Sequence, residues 1–75
     1  MTEAEFLKRI NQELEWPGEL KRGTPLPEER WDSVAVLSVM AFAQDGLNLA
    51  LSADDLSSVT TVDELLALVS PALSS

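Results

Sequence analysis

The sequence predicts an all-α fold of four helices, with a long loop between the first and second and a short third helix. Three observations lead there. Apolar residues recur at helical spacing in separate stretches. Ser/Thr-x-x-Glu/Asp signals stand at three places where such stretches begin. Pro and Gly clusters separate them. The chain has 75 residues, which bounds it to one small domain, expected over residues 1–75. A domain near that size buries only about 60% of its unfolded surface, so its core is thin.

The first helix is expected over about residues 2–15. Thr2 and Glu5 form a capping box, and Phe6, Leu7, Ile10 and Leu14 make the apolar stripe. Trp16-Pro17-Gly18 stops it, because a residue before Pro avoids the helical region and Pro-Gly suits a type II turn. The loop, residues 16–31, has Gly23, Pro25 and Pro27 and no sustained period. A loop this long in so small a domain points to function. Leu20, Leu26 and Trp31 are expected to pin it to the core.

The second helix is expected over about 33–45, with Asp32 or Ser33 as N-cap and Gly46 as its stop. Val34, Val36 and Val39 alone would allow a strand, but the length and the following Met-Ala-Phe-Ala favour helix. It is apolar on nearly every face, so it is either central in the core or shows an apolar face to a partner. Leu47 to Leu51 alternates and reads as a short strand or an extended loop. Ser52 and Asp55 open a short helix over about 53–58. Thr61 and Glu64 open the last, over about 61–70, with Leu65, Leu66, Leu68 and Val69 as its stripe and Pro71 as its end. Ala72 to Ser75 are expected to fray.

Composition excludes several functions. Thirteen acidic against five basic residues give a net charge of −8. This argues against nucleic acid, which needs clustered Lys and Arg, and against an anionic membrane surface. All five bases and seven of the acids lie in the first 30 positions; from Trp31 onward there are six acids and no base. A basic partner would be steered towards that second part. There is no Cys and no His, hence no thiolate metal site and no imidazole base. Without His, a serine nucleophile would have only Lys8 or Lys21 as base, at spacings that favour neither. Asp54-Asp55 and Asp63-Glu64 lack the calcium-loop pattern and read as helix-start acids. No run of 18 apolar residues is present and the N-terminus is acidic, so neither a membrane span nor a signal peptide is expected, and the protein is expected in the cytoplasm.

One short stretch carries the functional reading: Trp31-Asp32-Ser33-Val34, at the start of the apolar helix. By themselves Asp and Ser there are ordinary helix caps. From this point, however, the chain resembles the acyl carrier protein family. That family has an Asp-Ser-Leu motif whose Ser starts the second helix of a four-helix bundle, and Asp32-Ser33-Val34 stands in its place. Gly46 to Leu51 resembles the family's exit from helix two, Ser52 to Val59 its short third helix, and Thr60-Thr61-Val62-Asp63-Glu64-Leu65 the start of its fourth. The resemblance covers roughly positions 31–70 without a gap.

The resemblance implies a four-helix acyl-carrier-like bundle that is not itself an enzyme. It implies that Ser33 carries a 4′-phosphopantetheine arm, with Asp32 completing the motif. A phosphopantetheinyl transferase would attach the arm, and acyl-loading and acyl-transfer enzymes would act on thioesters held there. The carrier would be a monomer of a fatty-acid-like, polyketide or other specialised pathway. Its partner surface would be Val34, Leu37, Ala41 and Leu51, with Asp45, Asp54 and Asp55 at the margins.

The chain also departs from the family. Val34 replaces Leu, and Arg30-Trp31 replaces small residues, as in a specialised subset of carriers. Ala35, Ser38 and Gln44 replace the acids along helix two, so poor work with generic fatty-acid synthase partners is expected. The Gly-Gly that precedes Ser in many peptidyl carriers is missing. Val36, Met40, Leu65, Leu66 and Leu68 either line an adaptable cavity for an acyl chain or pack together. The alternative to a carrier is an unmodified helical interaction module that uses apolar helix two as its binding surface.

Overall fold

The computed structural model describes residues 1–73. Four helices follow in order: α1 (Glu3–Glu13), α2 (Ser33–Leu47), α3 (Ala53–Ser57) and α4 (Val62–Val69), with a 3₁₀ turn over Ser70–Ala72. Each α-helix opens on a side-chain cap. Thr2, Ser52 and Thr61 accept from the N–H of Glu5, Asp55 and Glu64, as the sequence spacing requires. Asp32 caps α2.

The ends are less legible from the sequence. Thr2 is the cap of α1, not part of it, and the helix stops at Glu13 because the chain closes a Schellman motif there. Trp16 N–H donates to the Asn11 carbonyl (3.0 Å) and Glu15 N–H to that of Gln12 (3.2 Å). Glu15 takes the left-handed conformation (φ +50°) that glycine usually fills there. Gly46 does not stop α2. It lies inside the helix, which runs to Leu47 and ends on Asn48 at φ +53°. Asn tolerates that conformation, so the helix gains a last half-turn. The segment after it, residues 48–52, is a loop and not the short strand that its alternation would also allow. α3 ends at Ser57, with Ser58 as its C-cap, and Thr61 and Ser70 flank α4 as caps.

One core joins all these elements. Phe6 and Ile10 of α1, Val36 and Val39 of α2, Leu56 of α3, and Val62, Leu65, Leu66 and Val69 of α4 are buried in a common cluster. The rings of Phe6 and Phe42 meet at 5.8 Å between centroids, tilted by 55°, and help hold α1 against α2. Among the described residues the buried side chains are apolar. Leu73 packs half-buried on this core, and its N–H donates to the Ser70 carbonyl (3.1 Å). Ala72 and Leu73 are therefore held where fraying was expected; Ser74 and Ser75 lie outside the described residues.

The long loop is pinned as its leucines and Trp31 predict, since Leu20, Leu26 and Trp31 are all buried. It is also stitched to the start of α4 in a way periodicity does not reveal. Leu26 N–H donates to the Thr60 carbonyl (2.8 Å) and Val62 N–H to the Thr24 carbonyl (2.9 Å), around an antiparallel bridge between Pro25 and Thr61. Arg22 adds surface ion pairs to Glu3 (2.7 Å) and Asp63 (3.3 Å). The decisive contact is buried: the Trp31 indole Nε1–H donates to the Leu56 carbonyl at 2.7 Å.

Trp31→Phe should therefore lower unfolding free energy by about 1–3 kcal/mol in urea titrations, through the lost bond and the smaller ring. Arg22→Gln, at exposed ion pairs, should cost no more than about 1 kcal/mol. Equal losses would show that the buried bond is not the stronger tie.

Glu64 gives a second test. Hydrogen bonds from the Thr60 hydroxyl and N–H, and then from Thr61, hold its carboxyl below its ordinary value of 4.5. A pKa lowered by folding stabilises fully above the unfolded value, and the contribution is lost as pH falls through the folded value. Side-chain NMR titration should place the Glu64 midpoint below 4.5, and Glu64→Gln should remove this part of the acid-side loss of stability.

Candidate functional site

The site starts from how α2 begins. Asp32 is extended (φ −90°, ψ −175°), and its Oδ1 accepts from Ala35 N–H at 2.9 Å. This assigns the cap to Asp32 and makes Ser33 the first helical residue. The first helical bond runs from Val36 N–H to the Asp32 carbonyl (3.0 Å). The N–H groups of Ser33 and Val34 precede it and have no acceptor within the helix. The Ser33 side chain is exposed. The residue before the cap, Trp31, is fixed in the core by its bond to Leu56. An exposed hydroxyl thus stands at the positive end of a helix whose start is anchored from beneath.

α2 then divides its apolar residues between two tasks. Ala35, Val36, Val39 and Ala43 turn into the core. Val34 and Leu37 stay 70% and 59% exposed, and Ala41 is exposed with them. Val34, Leu37 and Ala41 stand at i, i+3 and i+7 and so share one face of the helix. With Glu13, Ser38, Phe42 and Asp45 they line an open hollow of about 510 Å³. The apolar helix is therefore buried on one side and leaves apolar side chains exposed on the other.

The other residues expected on the partner surface lie elsewhere. Leu51 is half-buried and packed against the core, while Asp54 and Asp55 are exposed in the first turn of α3. None of the three lines that hollow. Val36, Leu65 and Leu66 are buried in the common core, and Met40 and Leu68 pack partly buried against it.

A second hollow borders the start of α2, and the sequence does not disclose it. Trp16, Arg30, Asp32, Val34 and Ser38 are among its walls. Trp16 reads in sequence as part of a helix stop and Arg30 as a loop base. Only the path of the loop brings them together with Val34 and Ser38 of α2. No local signal could have found this pairing, because it depends on where the Schellman turn sends the chain.

Among the described residues no group of three acidic side chains is arranged to hold a metal ion, and no helix is long and apolar enough to cross a membrane. Comparison of the chain with known protein families, curated proteins and solved structures finds no match.

The two sides of α2 should respond differently to substitution. Leu37→Ser, on the exposed face, should change stability by no more than about 0.5 kcal/mol. Val39→Ala, fully buried, should cost about 1–3 kcal/mol. Urea unfolding of both variants checks this. A large loss at Leu37 would mean that this side chain packs against the fold and is not presented to a partner.

Proposed function

We propose that the chain is an acyl carrier of the kind its sequence resembles, with the Ser33 hydroxyl as attachment point for a 4′-phosphopantetheine arm. The observation that carries this reading is the exposure of Ser33 at the first position of α2, beside a rigid cap. The residues present fit the group. The N–H groups of Ser33 and Val34, which lack helical acceptors, and the helix dipole favour a phosphate at this point. Asp32 turns its carboxylate to Ala35 N–H, so its charge is partly engaged in the cap.

In the attachment step the Ser33 Oγ gives up its proton and forms an O–P bond to the pantetheine phosphate of coenzyme A. The bond from that phosphorus to the adenosine bisphosphate half breaks, and this half leaves. A phosphopantetheinyl transferase would supply the base. Once attached, the arm supplies the terminal thiol that this Cys-free chain lacks, on which acyl groups are held as thioesters. The chain's own residues bind and present, and the partner enzymes do the chemistry in the cytoplasm. Val34, Leu37 and Ala41 offer those partners an apolar contact starting one residue from the tether. The base-free stretch from Trp31 onward steers basic partner surfaces towards it.

A second reading draws on the same exposed face. Val34 and Leu37, at 70% and 59% exposure, would serve an unmodified interaction module equally well. The two readings separate on mass. Incubated with a transferase and coenzyme A, the wild-type chain should gain one phosphopantetheine by intact-mass measurement. Ser33→Ala should gain none while keeping its helical circular dichroism. Addition to the Ala variant, or none to the wild type, would overturn the carrier reading.

A further inference from the structure

The hollow bordering the start of α2 has a volume of about 580 Å³, within the range of about 300–1,000 Å³ usual for small-molecule sites. Its lining includes the residues immediately before and after Ser33, Asp32 and Val34, and then Ser38 one turn further along α2. Ser33 itself does not line the hollow, so a group tethered there enters it past Asp32 or Val34. The rest of the wall comes from the turn after α1, where Trp16 stands half-buried, and from the end of the loop, where Arg30 stands. Trp16 is not free to wander. Its N–H is bound to the Asn11 carbonyl (3.0 Å) and it follows Glu15, held at φ +50°. The turn thus fixes the backbone that carries an indole only partly used by the core.

We propose that this hollow seats the prosthetic arm, with Trp16 as its apolar wall, and that the acyl group carried is short, not a long alkyl chain. The proposal rests on attachment at Ser33. The chemistry of the walls selects the occupant. The pantetheine arm is neutral beyond its phosphate and has two amides. It needs polar neighbours along its length and one apolar surface for its methyl groups. Ser38 and Arg30 supply the former, and Trp16 and Val34 the latter. A long alkyl chain gains little here, because Glu13, Glu15 and Glu29 stand on the same walls and stay solvated. Nor is the interior open to one in this structure, since Val36, Val39, Leu65 and Leu66 are packed together in the core.

The test uses the full chain, ¹⁵N-labelled and loaded with the arm by transferase and coenzyme A, with intact mass recorded first. The Trp16 indole N–H and the Ser38 amide should shift on loading, with intramolecular NOEs from the arm's methyl protons to the Trp16 ring. The Trp31 indole, bound to Leu56, should stay in place. Trp16→Ala should abolish the arm's NOEs to Val34 and Ser38 while Trp16→Phe retains them. An octanoyl group placed on the thiol should produce no NOE to Val36 or Leu65. A mass gain without NOEs to Trp16 would overturn this seat and leave the carrier reading standing. Octanoyl NOEs to Val36 or Leu65 would overturn the choice of cargo. No mass gain on the wild type would overturn both the seat and the carrier reading.

Discussion

The hydrogen bond from the Trp31 indole to the Leu56 carbonyl is the constraint on which the arrangement depends. It is buried, and it joins positions 25 residues apart. On one side it ends α3, a helix of five residues that could not persist alone, since isolated helices need about 12–15 residues to be even marginal in water. On the other side it fixes the residue just before the Asp32 cap. The short helix and the start of α2 are thereby held to each other, and Ser33 projects from a fixed point. An indole suits this place because it combines a large apolar body with a single donor that a buried carbonyl can satisfy.

The composition of α2 follows from its two tasks. Its inner side uses Ala35, Val36, Val39 and Ala43, mostly small residues that let the helix approach its neighbours closely. Its outer side keeps Val34, Leu37 and Ala41 in water. Leaving a Leu exposed forgoes roughly 1.5–3 kcal/mol of burial. From Trp31 onward the acids lie at the ends of α2 and on α3 and α4. Since Arg22 is engaged with Glu3 and Asp63, part of the chain's small basic complement serves the fold itself.

The loop between α1 and α2 links fold and site. Its length alone reads as a hint of function, and the structure gives that hint a physical form. Its middle is bound to the start of α4 by backbone hydrogen bonds, and its ends bring Trp16 and Arg30 to the first turn of α2. A shorter connection could not reach both. The left-handed Glu15 costs on the order of 1–2 kcal/mol relative to a relaxed backbone, and Trp16 takes its direction from that turn.

The helices, their starts and most of the core were determined by the sequence itself. Capping is local: Thr2, Ser52 and Thr61 each reach an N–H three residues on, so the pattern and the structure are nearly the same information. Burial of Phe6, Ile10, Leu65 and Leu66 follows from helical periodicity for the same reason. Asp32-Ser33 was legible as a helix start, but which of the two caps it was decided only by the folded backbone. The ends of α1 and α2 also escaped, because each is set by which residue accepts positive φ. Asn48 and Glu15 do so here, where Gly46 and Pro17-Gly18 were the stronger local signals. Tertiary structure alone decided what meets across long separations: the bridge from Pro25 to Thr61, the bond from Trp31 to Leu56, the split of α2 into buried and exposed sides, and the hollow at Trp16. These contacts arise from packing one thin core, and no short window of residues encodes which neighbour fills it.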